Sequence, residues 1–112
     1  MSKIKIKVNL NKDKKEIINK ELIGILIDNT VKYQYDNTIN IIDLDKLILT
    51  RKTKEYNLIL DFKTQNIIYK YNGCELSMKI KVNKIEKKDK ELLIKYEIIE
   101  TKDTYKYKIK WN

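Results

Sequence analysis

The chain has 112 residues, a net charge of +9, one cysteine and no histidine. That length suits one domain, 1–112, which can bury a core without disulfides or metal. The lone Cys excludes an internal disulfide, the missing His excludes Ser-His-Asp and Cys-His nucleophile systems, and no apolar run approaches the about 18 residues of a spanning helix.

The opening stretch "MSKIKIKVNL" alternates where a secretory signal would be solidly apolar, so the expected compartment is the cytoplasm. All but one of the 25 positive residues are Lys, Arg51 being the exception, and Ala and Pro are absent. Residues with A/T-rich codons dominate, and a strongly AT-biased genome explains the lysines more simply than dedicated nucleic-acid binding, which favours Arg. The excess of eight Tyr over one Phe escapes that explanation. Phe codons are equally AT-rich, and Tyr adds a hydroxyl that wants a partner when buried.

Period-two alternation runs through the chain and predicts strands with one dry face. In order, these are Lys3–Leu10, Ile17–Asp28, Val31–Tyr35, Ile39–Ile42, Lys46–Lys52, Tyr56–Phe62, Ile67–Tyr71, Glu75–Ile85, Leu92–Glu100 and Thr104–Trp111. The first sets Ile4, Ile6, Val8 and Leu10 against Lys3, Lys5 and Lys7; the last sets Tyr105, Tyr107, Ile109 and Trp111 against Lys106, Lys108 and Lys110. The second also fits helical spacing through Ile17, Ile18, Leu22 and Ile23, but no cap precedes it. Its internal Gly24 suggests a bulge or bend. Asn72-Gly73 is the strongest hairpin signal, and the "DNT" pairs at 28–30 and 36–38 mark further turns. The charged runs "NKDKKE" (11–16) and "EKKDKE" (86–91) read as longer solvated loops.

Short links between successive strands predict antiparallel hairpins, and closure removes the exposed edges of so long a meander. The fold class is therefore all-β: a single antiparallel up-and-down β-barrel of about eight to ten strands.

The order of pieces resembles the YwiB-like family, uncharacterised bacterial proteins with a calycin-like (lipocalin-like) β-barrel. The resemblance spans Ile4 to Trp111. It rests on "IKIKVNL", "ELIGILID" with its internal Gly, "VKYQYD", "LILTRK", "NIIYKYNGCELSMKI" and the closing pair "ELLIKYEIIETKDTYKYKIKW". The link from "VKYQYD" to "IIDLDKL" is short, and "YNGCEL" lacks the Pro common before that Gly. The resemblance implies a fold and no activity, cofactor or catalytic residue.

Nothing in the residues points to catalysis, a metal or a cofactor. Gly24 and Gly73 are isolated, so there is no phosphate loop. Asp43 and Asp45 fit turn chemistry better than a metal pair, and Cys74 reads as a buried or inert thiol. Arg51 is the informative residue. If Leu47 and Leu49 face inward, Arg51 shares their face and inside a barrel needs a carboxylate or carbonyls, with Asp36 the candidate partner; if Ile48 and Thr50 face inward instead, Arg51 is exposed. The expected function is a non-enzymatic barrel that binds a small, partly apolar or anionic ligand in its lumen or mouth. Its lining candidates are Tyr33, Tyr35, Arg51, Tyr69, Tyr71, Tyr96 and Trp111. The alternatives are RNA or polyanion binding on the Lys-rich exterior, and a protein-interaction or homodimer role through "ELIGILID" and "NIIYKY", which carry apolar residues on both sides, for example Ile67 with Ile68. A membrane partner is not expected.

Overall fold

Alternation along each strand sets the architecture: one set of side chains must leave water, and ten such strands bury it by closing on themselves. A computed structural model of the protein describes residues 2–112. The strands are β1 (Ser2–Lys12), β2 (Lys15–Ile27), β3 (Thr30–Tyr35), β4 (Thr38–Asp43), β5 (Ile48–Lys52), β6 (Tyr56–Asp61), β7 (Asn66–Tyr71), β8 (Cys74–Lys88), β9 (Glu91–Ile98) and β10 (Thr104–Trp111). Each pairs antiparallel with its neighbours in sequence, and β10 returns to β1, giving a closed up-and-down barrel. The segment with a competing helical pattern is strand, as part of β2.

The inward set is the expected one. Ile4, Ile6, Val8 and Leu10 of β1, Ile80 of β8, Leu92 and Ile94 of β9, and Tyr107 and Ile109 of β10 are all buried. The alternating lysines stay wet because they share strands with this core. Lys7 lies opposite Lys110, and Lys106 opposite Lys95, on the outer face. Glutamates offset some of that like-charge crowding, as where Lys108 meets Glu91 at 3.2 Å and Lys88 meets Glu86 at 2.9 Å.

Turn chemistry explains the hairpins. Asn72 and Gly73 both take positive φ, 50° and 75°, as do Asp36 and Asn37 and also Asp13 and Lys14. This is the pattern of tight two-residue hairpins. The two charged runs expected as longer loops are therefore corrected. They are strand ends around the two-residue turns Asp13-Lys14 and Asp89-Lys90, with Lys12 paired to Lys15 and Lys88 to Glu91. Lysines hold the inward register positions there, Lys12 opposite Tyr105 and Lys87 opposite the buried Leu92, so apolar alternation is broken. In the other direction, Lys46 and Leu47 fall in the turn before β5, where Leu47 has a φ of 54°.

Closure depends on two long strands, β8 and β2. β8 gives Cys74–Lys79 to β7 and Ile80–Lys88 to β9, with Asn83 as the extra residue of a bulge. β2 follows β1 from Lys15 to Leu26 but meets β3 only through Ile25, Leu26 and Ile27. Its bulge sits at Ile17, not at Gly24. Gly24 lies just before the residues that meet β3, and its φ is not in the left-handed region. Its role is room. A Cβ there would stand 2.8 Å from the carbonyl oxygen of Lys32 on β3 and would collide with Cδ1 of Ile6. Before that contact, β2 from Lys15 to Gly24 has no partner on the side away from β1. The bulge at Ile17 and the exposed Lys20, in an inward position opposite Val8, keep that edge from recruiting strands.

Gly24→Ala should lower stability by about 1–3 kcal/mol through overpacking at the seam, read from urea unfolding monitored at Trp111. Gly73→Ala, whose Cβ would meet open space but sit at positive φ, should cost about 1–2 kcal/mol. A Gly24→Ala protein as stable as the parent would refute the close approach.

Candidate functional site

The polar interior begins with Arg51. Leu49 is buried on β5 and period two turns Arg51 the same way. Its register partners are Asn40 on β4 and Leu58 on β6. Asp36 is not its partner, which corrects the expected ion pair. Arg51 Nε instead donates to Asn40 Oδ1 at 3.0 Å, and no ion pair of Arg51 occurs among the described residues. Geometry accounts for this: Asp36 lies in the β3–β4 turn at the rim, whereas Asn40 is directly abreast of Arg51.

Asn40 is fully buried, with 0% exposure. Arg51 can only donate, so the amide must offer it oxygen. That fixes the Asn40 Nδ2 group on the other side, where it is buried without a partner. An orphan buried donor costs about 1–3 kcal/mol.

Four tyrosines surround this pair. Tyr33 and Tyr107 meet hydroxyl to hydroxyl at 2.7 Å in the buried interior. Only one of the two can donate to the other, which leaves a second O–H proton to place. Burial pushes the Tyr33 hydroxyl up to about 12, opposed by the bond from Tyr107 and the Arg51 charge. Burial also holds Tyr107 and Tyr96 well above the ordinary phenol value, and Tyr35 above it. The Arg51 charge lowers all four, so its guanidinium acts on every one of these hydroxyls. Following the register round the ring, no inward position of any strand carries Asp or Glu. The interior is rich in donors and short of acceptors.

The other tyrosines continue toward the rim. Tyr69 packs between Tyr56 and Tyr71, with ring centroids 5.3 and 6.4 Å apart, and Tyr71 is largely exposed. Tyr35 lies parallel to Tyr33 at 6.2 Å, and Tyr96 stacks on Tyr105 at 5.1 Å. Trp111 stands apart: it is buried beside Ile6 at the end of the barrel where the chain termini lie. Sequence reasoning missed Asn40, Tyr56, Tyr105 and Tyr107. Asn40 had a signal in "TINIID", since period two puts it on the face of Ile42.

The remaining candidates are structural or peripheral. Asp43 Oδ1 accepts from the backbone N–H groups of Asp45 and Lys46 at 3.0 and 2.9 Å, which is turn chemistry. Cys74 is exposed, not buried, just after the Asn72-Gly73 turn. A concavity of about 460 Å³ lies between Lys5, Leu22, Ile23 and Trp111, on the wall opposite Arg51. Its lining mixes the apolar Ile6, Leu22, Ile23 and Trp111 with Lys5, Lys7, Lys110 and Glu21. The outer faces of β1 and β10 form a contiguous lysine wall, but their aromatic residues Tyr105, Tyr107 and Trp111 alternate inward.

No family model, no curated protein and no solved structure matches this chain.

Tyrosinate absorbance during alkaline titration should separate Tyr33, Tyr96 and Tyr107 from the exposed rings. The neutral form is favoured by folding, so stability is full below the unfolded phenol value near 10. It falls as pH rises from there toward about 12, the value for Tyr33. The expected trace has an early reversible phase and a late phase that coincides with loss of the β-sheet circular dichroism signal. A single phase near 10 with the fold intact would contradict the burial of these hydroxyls.

Proposed function

We propose that this protein is a small binding barrel that receives an organic anion at its tyrosine-lined mouth. Arg51 holds the charged group, Asn40 supplies a second donor, and tyrosine rings flank the apolar part. The observation that carries this reading is the unpartnered Asn40 Nδ2 beside an Arg that has no carboxylate. Burying such groups without acceptors is unfavourable, and a bound carboxylate would satisfy both. A fit to the YwiB-like, calycin-type barrels belongs to the same proposal, as does a cytoplasmic location. The reading involves no chemistry on the ligand. The buried hydroxyls stay protonated at neutral pH and make poor bases.

The lysine wall supports a weaker role. Without outward rings to stack on bases, it would attract polyanions by charge alone and release them as salt rises.

Benzoate is a suitable first probe. In ¹H–¹⁵N spectra the Asn40 Nδ2 and Arg51 Nε resonances should shift and saturate together. Arg51→Met should abolish the effect and cost about 1–3 kcal/mol, because it leaves the buried Asn40 amide with no partner at either end. The double change Asn40→Leu with Arg51→Met should gain about 1–3 kcal/mol, as expected for a polar pair kept for binding. Unshifted Asn40 and Arg51 resonances across a series of aromatic and aliphatic carboxylates would sink the proposal. So would a double variant that is strongly destabilised.

A further inference from the structure

The outer wall of β1, β10 and β9 holds a hollow with no acid in its lining. It measures about 360 Å³ and lies at the end of the wall near the Asp13-Lys14 turn. Register sets Asn11, Lys106 and Lys95 abreast across the three strands, on the face away from the buried Leu10, Tyr107 and Ile94. Lys14 reaches the hollow from the turn, Thr104 from the start of β10 and Asn83 from β8. Asn83 is the extra residue of the β8 bulge, and bulges re-aim side chains.

The lysines in and around this hollow are of two kinds. Lys12, Lys84 and Lys108 each hold a carboxylate: Asp103 at 3.8 Å, Glu86 at 3.3 Å and Glu91 at 3.2 Å. Lys14, Lys95 and Lys106, the three that line it, hold none among the described residues. Lys95 and Lys106 stand directly opposite each other. Like charges so placed, about 5 Å apart at Cβ, destabilise a sheet. The nearest carboxylates by register are Glu16, opposite Asn11, and Glu97, opposite Thr104, and neither closes an ion pair with these lysines. The Asp13 carboxylate is engaged by the backbone N–H and hydroxyl of Thr104. Of the Asn11 amide, Oδ1 is the buried atom, which leaves Nδ2 as the end turned outward.

We propose that this hollow binds the phosphate group of a small phosphomonoester. Three ammonium groups match the near-double charge and three free oxygens that a phosphomonoester carries at neutral pH. The Asn11 and Asn83 amides add directional donors to those oxygens. A phosphate seated between Lys95 and Lys106 also relieves their repulsion. A carboxylate fits less well, since two oxygens and one charge cannot engage every donor present. The same holds for a nucleic-acid backbone, whose phosphodiesters each carry one charge. The hollow has the size of a small-molecule cleft, near the lower end of the range. All three lysines are exposed, so binding should be weak, with a Kd on the order of 0.1–1 mM. This site is on the outer wall and shares no residue with the Arg51 site inside the barrel, so either reading can fail without the other.

Titration with glycerol 3-phosphate at constant ionic strength, followed in ¹H–¹⁵N spectra, tests it. The side-chain amides of Asn11 and Asn83 should shift and saturate while that of Asn40 stays in place. Lys95→Gln and Lys106→Gln should each weaken binding by about fivefold, and Glu97→Gln should strengthen it. Neither lysine change should cost stability, because each removes a like-charge pair. Lys52→Gln removes the same charge from the opposite wall and should change the affinity by less than about twofold, since screening confines the effect of distant charges. Absent or unsaturable shifts would overturn the proposal. So would equal weakening by Lys52→Gln, the mark of net charge alone. Tighter binding of inorganic phosphate than of the ester would overturn the assignment to an ester. An oligouridylate without terminal phosphates that displaces glycerol 3-phosphate at equal phosphate concentration would overturn it in favour of a nucleic-acid backbone.

Discussion

Three backbone pairs close this ring: Ile25 with Lys32, Leu26 with Val31, and Ile27 with Thr30. Everything else in the fold presupposes them. Without that seam β3 and β2 would each present an open edge, and the inward residues of both walls would face water. The seam is short because β2 spends most of its length on β1. The absence of a side chain at Gly24 is what allows the β3 backbone to come alongside. At the other junction β8 is long enough to serve β7 with one half and β9 with the other.

Much of this was legible in the chain because period two reports burial directly. Every strand was found, and the turn at Asn72-Gly73 carries its own steric explanation. The limits of "NKDKKE" and "EKKDKE" were not legible, for a definite reason. Alternation is visible only where the inward places are apolar, and here lysines take them, Lys12 opposite Tyr105 and Lys87 opposite Leu92. Their turns use Lys14 and Lys90 at positive φ, at 68° and 60°, where composition gives no hint. The same logic separates what was seen of the site from what was missed. That Arg51 shares a face with Leu49 is local parity and legible in the sequence; which face points inward was open until the burial of Leu49 decided it. Its partner depends on which residues stand abreast on neighbouring strands, which is a matter of register. An argument from charge favoured Asp36 when an amide was in place.

The interior is a compromise between filling and polarity. Toward one end aliphatic side chains and Phe62 pack as an ordinary core. Toward the other, phenols, an amide and a guanidinium share space with no acid to balance them. Asn40 Nδ2 is left without a partner there, as Asn11 Oδ1 is elsewhere. The two outer walls are also unlike, one crowded with lysines and the other bearing outward isoleucines such as Ile41, Ile59 and Ile68. The excess positive charge is therefore a property of one side of the molecule.

Asp13 has a further consequence. Its backbone N–H donates to the Thr104 carbonyl at 2.8 Å, and its carboxylate accepts from the Thr104 backbone and hydroxyl at 2.9 and 3.1 Å. The first hairpin is thereby clasped to the last strand. Nine of the ten strand pairings join neighbours in sequence and need only short excursions of the chain. The tenth, β1 with β10, must bring together segments separated by most of its length. Conformational search is thus concentrated in a single late act of annealing, and the Asp13 clasp holds the joint once it is made. Kinetically, such a molecule zips from turn to turn and is then buckled, so loss of the buckle should quicken opening far more than it slows assembly.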